Sequence, residues 1–125
     1  MKVDISIGEL VDKLSILSIK KEKIIDPGKL NNITAEYQIL EKAMKLTGLT
    51  PDSEEFKNLK SVNLILWDVE DAIRIKERNK DFDEEFIQLA RKVYFTNDER
   101  AKIKNAINRK FNSELTEEKQ YVDYK

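Results

Sequence analysis

From Phe56 to Ile73 the chain runs FKNLKSVNLILWDVEDAI, and Phe56, Leu59, Val62, Leu66, Val69 and Ile73 recur at steps of three or four. That is the period of a helix with one buried stripe, and sustained at heptad spacing it is the seam of a packed helix pair. Leu64, Ile65 and Trp67 widen the stripe, so this helix is expected to meet apolar neighbours on more than one side. Thr50-Pro51 gives its start signal, a capping residue followed by proline at the first helical position. The expected helix spans about Pro51 to Asn79, the longest in the chain and the expected centre of the fold.

Working outward, the same signals recur. Ser6 and Glu9 have the spacing of a capping box, opening a helix with Ile7, Leu10, Leu14, Leu17 and Ile24 on one stripe. Asp26-Pro27 opens another, with Leu30, Ile33, Tyr37, Leu40 and Met44 inward, and Gly48 ends it. Asp81 or Asp83 caps a helix carrying Phe86, Ile87, Ala90, Val93 and Tyr94. Thr96-x-x-Glu99 again fits a capping box, which predicts a corner and a last helix with Ile103, Ile107 and Phe111. No stretch alternates with period two over a strand's length. The expected fold is all-α: an antiparallel helical bundle with coiled-coil hairpins, about five helices with a long central one. One helical domain is expected over 1–112, followed by a polar tail over 113–125 in which Leu115, Tyr121, Val122 and Tyr124 could dock. The wide apolar surface on so short a chain predicts a homo-oligomer, most simply a symmetric dimer.

Composition narrows the chemistry. The 125 residues include neither cysteine nor histidine, which removes disulfides, thiolate and histidine zinc sites, and the usual nucleophile and base pairs. Charge is nearly balanced, with 23 basic and 24 acidic residues, so no overall field favours nucleic acid or an anionic membrane. The stretch MKVDISIGEL lacks the apolar core of a secretory signal, and no apolar run approaches bilayer-spanning length. A cytoplasmic location is expected, and no cofactor.

Within these bounds the best candidate site is IQLARKVYFTNDERAKIKNAIN, Ile87 to Asn108. A corner at Thr96 would expose backbone N–H groups and the positive end of a helix dipole, beside Arg91, Lys92, Arg100, Lys102 and Lys104. The candidate ligand-binding residues are Arg91, Tyr94, Thr96, Asn97, Arg100 and Lys104: arginines as forked donors to phosphate, an aromatic for stacking, and neutral hydrogen-bonding groups between. An anionic, nucleotide-like small molecule fits that set. No GxxxxGK[ST] or GxGxxG motif accompanies it, and the same residues also read as a capped corner with surface ion pairs. Other constellations are set beside this one. Trp67, Asp68, Glu70, Asp71, Arg74, Glu77 and Arg78 on the third helix read as a solvated face with internal ion pairs, or Glu9-x-x-Asp12 and Asp68-x-x-Asp71 as the oxygen ligands of a Mg-dependent all-α nucleotide pyrophosphohydrolase. Lys102, Lys104, Arg109 and Lys110 make the last helix basic, a pattern that polar terminal helices share without binding nucleic acid.

Taken together, ISIGELVDKLSILSIK, LWDVEDAIRIKE, DFDEEFIQLARKVYFTNDERAKIKNAIN and SELTEEKQY resemble a domain-of-unknown-function family of short helical proteins from bacteria and phages. The most specific element is LAR-x-VY-x-TND-x-RA-x-IK-x-x-IN. The resemblance implies no catalytic residues, since no activity is established for that family. It implies an accessory role near cell-surface polysaccharide functions for bacterial members and host manipulation for phage members. The expected function is non-catalytic binding or sequestration of an anionic nucleotide-like molecule, in a phage a counter-defence role. A helical scaffold or adaptor engaging a protein partner is the competing expectation.

Overall fold

A computed structural model describes residues 2–113 and 115, and these form four helices with no strand among the described residues. They are α1 (Ile7–Lys23), α2 (Pro27–Lys45), α3 (Glu54–Arg78) and α4 (Glu84–Lys110). Caps set the boundaries where the sequence put them in three cases. Ser6 accepts a hydrogen bond from the Glu9 N–H, Asp26 from the Lys29 N–H and Asp83 from the Phe86 N–H. Gly48 follows α2 at φ +93°, the left-handed region in which a Cβ is strained. At the end of α3 the left-handed position is held by Lys80, φ +53°, while the Asp81 N–H returns to the Lys76 carbonyl.

Two expected helix starts are corrected. Thr96 and Glu99 do not open a fifth helix, because α4 runs unbroken through them. Neither glycine nor proline lies between Glu84 and Lys110, and Phe86, Ala90, Val93, Asn97, Arg100, Lys104 and Ile107 continue a single four-and-three seam through the supposed corner. With nothing to break the backbone ladder, the capping spacing is only a coincidence of residue types. The third helix also starts at Glu54 rather than near Pro51. Thr50 to Ser53 form a turn closed by the Ser53 N–H on the Thr50 carbonyl, and the Ser53 hydroxyl accepts from the Thr50 N–H instead of capping.

The centre of the bundle is α1, not the expected third helix. It packs against α2, α3 and α4, whereas α2 packs on α1 alone. Leu10, Val11, Leu14, Met44, Leu49, Phe56, Leu59 and Ile107 form the apolar core around it. α3 and α4 pair antiparallel, joined at one end by Lys76 with Asp83 and at the other by Lys110 with Glu55. α1 and α4 are also antiparallel, matching Gly8 with Asn108 and Glu9 with Lys104. Among the described residues no helix is long and apolar enough to cross a membrane. Apart from Ser113 and Leu115, the expected docking of the 113–125 tail, including Tyr121, Val122 and Tyr124, falls outside the described residues.

Gly8 has a packing role that its place near a helix start concealed. A Cβ there would lie 2.4 Å from the Lys104 carbonyl oxygen and 2.9 Å from Asn108 Oδ1, so α1 and α4 touch backbone to backbone. The first N–H groups of α1 are closed by this contact: Ile7 donates to Ser113 Oγ and Gly8 to Asn108 Oδ1 at 2.7 Å. Substituting Gly8→Ala must push the two helices apart and is expected to cost about 1–3 kcal/mol in urea unfolding, the range for overpacking. A loss of less than ~0.5 kcal/mol would contradict the contact.

Candidate functional site

Beneath the apolar core lies a layer of buried polar side chains. Asp12, Ser15, Asn63, Lys104 and Asn108 are all buried, and Asp12 is 0% exposed. A lone carboxylate there would be costly, so its surroundings must supply compensation. Arg100 binds it through both Nε and Nη2, the Nε contact to Oδ1 measuring 2.9 Å. Asn63 Nδ2 donates to the same Oδ1 at 2.9 Å and to Ser15 Oγ at 2.8 Å, while Ser15 donates to the Asp12 carbonyl at 2.7 Å. Lys104 binds Glu9 at 2.7 Å and lies 3.9 Å from Asp12 Oδ2. One carboxylate thus ties α1 to both α3 and α4.

Asn63 of this layer, with Arg100, reaches an open cleft of about 450 Å³ between α1, α3 and α4. Ile16, Ile19, Leu66 and Trp67 provide apolar wall; Asn63, Asn97 and Arg100 provide donors; Glu70, Asp71 and Arg74 form the rim on α3. A second hollow of about 340 Å³ is lined by Asp71, Arg74, Ile75 and Arg78, so Asp71 and Arg74 belong to both. The result is a groove along α3 from Trp67 to Arg78, about 16 Å at the rise of an α-helix. Arg74 approaches Glu70 at 3.3 Å on the exposed surface. Asp71 and Arg78 make no hydrogen bond or ion pair with other described residues.

The six residues expected to form one site are distributed over α4. Arg91 and Arg100 are nine positions apart on a straight helix, roughly half a turn out of phase, so they face opposite sides. Arg91 lies over the Phe95 ring at 5.6 Å, and Tyr94 packs against Phe95 with centroids 5.3 Å apart, both on the exposed side. Thr96 is half-buried within the helix. Asn97 and Arg100 line the cleft, while Lys104 is buried against Glu9 below it. Because α4 has no start at Thr96, the free N–H groups and dipole end invoked there do not exist. Trp67, Asp71, Arg74 and Arg78, expected only as part of a solvated face of the third helix, line the cleft and the adjoining hollow.

The other constellations are also placed. Glu9 and Asp12 are engaged by Lys104 and Arg100, and among the described residues no three acidic groups gather as a metal would require. Lys104 and Lys110 face Glu9 and Glu55, which breaks up the basic stripe of the last helix. At the far end of the hairpin, Lys76 meets Asp83, Glu85 and Asp81; these hydrogen bonds push its pKa up and hold the Asp83 carboxyl below its usual value.

Asp12→Ala removes the buried carboxylate that holds the half-buried Arg100 and faces the buried Lys104, and unseats Asn63, and is expected to cost about 3–5 kcal/mol by urea unfolding. Arg74→Ala, on the exposed rim, is expected to change stability by less than ~0.5 kcal/mol. Equal effects would contradict the division between floor and rim.

No curated protein matches this chain, and no solved structure does. The fold and the groove are therefore features of a chain that, matched over residues 1–124, belongs to the family of unknown function DUF6165.

Proposed function

We propose that the protein binds and sequesters an anionic, nucleotide-like small molecule, without transforming it, in the groove along α3. The observation that carries this reading is the continuity of the groove, which joins an apolar, aromatic end at Trp67 to a cationic end at Arg74 and Arg78. A planar ring stacks on Trp67 between Ile16 and Ile19, and the anionic group lies toward the arginines. Asn97 and Arg100 are the two originally expected binding residues that line this groove, and Arg91 lies across the helix from them.

Native mass spectrometry after incubation with mixed nucleoside mono-, di- and triphosphates should show retained mass, and calorimetry should then give the affinity. Trp67→Ala and the double substitution of Arg74 and Arg78 by alanine are each expected to weaken binding at least about tenfold, the loss of ~1.4 kcal/mol. Arg91→Ala should leave affinity unchanged. Equal losses in all three, or binding that survives Trp67→Ala, would reject the groove.

A second reading, a self-associating subunit or helical adaptor, is favoured by Ile75, Phe82 and Ile87, which are exposed toward the α3–α4 turn. For that reading, light scattering should show a dimer that Ile87→Asp dissociates. A monomer at every concentration would remove self-association from consideration.

A further inference from the structure

We propose that the stripe Trp67, Asp71, Arg74 and Arg78 of α3 is a dimer interface, across which a second copy of this chain packs its own α3 antiparallel. This rests on the self-association reading above and adds the face, the register and the consequence for the groove. The starting observation is a face that the chain leaves uncovered. α1 has 17 residues against 25 in α3 and 27 in α4, and the last of its residues lining the cleft is Ile19. Over 70–103 no residue of the α3–α4 hairpin is buried. On α4 this face carries Ile87 and Tyr94, 48% and 44% exposed, at helical steps from the cleft residue Asn97. A helix pair buries its apolar stripes fully only under a further element.

The order of charges on α3 identifies what that element is. Positions 67, 71, 74 and 78 follow steps of four, three and four, the seam of a packed helix pair. Laid parallel and in register, two such stripes set Asp71 on Asp71 and arginine on arginine. Laid antiparallel about a two-fold axis midway between Ala72 and Ile73, they match in every layer: Asp71 meets the partner's Arg74, and Trp67 meets the partner's Arg78. That gives two ion pairs and two cation–π contacts, related by symmetry as an isologous interface requires. Asp71 and Arg78 make no hydrogen bond or ion pair with other described residues, and Arg74, exposed beside Glu70, has further donors to give. The contact is one helix pair long, so the interface is small and the dimer weak and reversible. A copy seated there covers Trp67, Arg74 and Arg78 and excludes a small ligand from that stripe.

The test is sedimentation equilibrium of the full chain, without nucleotide, from about 10 µM to about 1 mM, the affinity range of a small interface. The unsubstituted chain is expected to dimerise within that range. Asp71→Arg sets arginine against Arg74 in both layers, and Arg74→Asp sets aspartate against Asp71. Each is expected to weaken the dimer at least about tenfold. Mixing the two variants restores opposite charges in both layers, so the mixture is expected to associate about as tightly as the unsubstituted chain. Both positions are exposed, and a circular dichroism melt of each variant checks its fold. Variants that dimerise as before, or a mixture that stays as weak as its components, overturn the face and register and leave self-association standing. A monomer at every concentration gives the stripe to another occupant and overturns the self-association reading and this inference together.

Discussion

The structure depends on one buried carboxylate. Asp12 is fully enclosed, and an enclosed charge is tolerated only where its partners are held in place. Arg100 from α4 and Asn63 from α3 meet it from two sides, and Lys104 approaches the same carboxylate while neutralising Glu9 one turn earlier. Because Gly8, Glu9 and Asp12 engage Asn108, Lys104 and Arg100 in order, sliding α1 along α4 by one turn would leave several buried polar groups unmatched. Apolar packing alone is less particular about register. The polar layer supplies the specificity, and the aliphatic core around Leu14, Met44 and Leu59 supplies the driving force.

The same layer explains why the groove exists. Where α4 carries Asn97 and Arg100 on its seam instead of leucines, α1, α3 and α4 do not close over one another with aliphatic side chains. The opening that remains has a polar floor, with Trp67 on its wall and charged residues on its rim. Anchoring Arg100 through two nitrogens to Asp12 fixes the plane of its guanidinium at that floor. A rigid floor below an exposed, adjustable rim is the arrangement expected of a binding site whose recognition groups carry little of the folding energy.

Much of the fold was legible in the residues. The caps Ser6, Asp26 and Asp83, the glycine at 48 and the stripes of α1, α2 and α3 were read from local signals whose physical causes are local. What was not legible came from polar residues in seam positions. Counting apolar residues alone, the seam of α4 falls silent after Val93, at Asn97, Arg100 and Lys104, and Thr96 with Glu99 then looks like a new beginning. Counting Asn97, Arg100 and Lys104 as core members keeps the period intact. The same blindness hid the central place of α1, whose Asp12 and Ser15 are as buried as its leucines. The site reading inherited this error: Arg91, Tyr94, Thr96, Asn97, Arg100 and Lys104 are neighbours in sequence, but one unbroken helix sends them to different sides.

The exposed face of α4 and the groove along α3 therefore make opposite claims about where a ligand acts. Trp67 is the only tryptophan, so its indole N–H gives a single, assigned resonance in a nitrogen-15 correlation spectrum. Titrating GDP into the labelled full chain is the direct measurement. A ligand held in the groove shifts the Trp67 indole signal with saturation, together with backbone amides around Asp71, Arg74 and Asn97. Shifts confined to Arg91, Tyr94 and Phe95, with the indole unmoved, would contradict it.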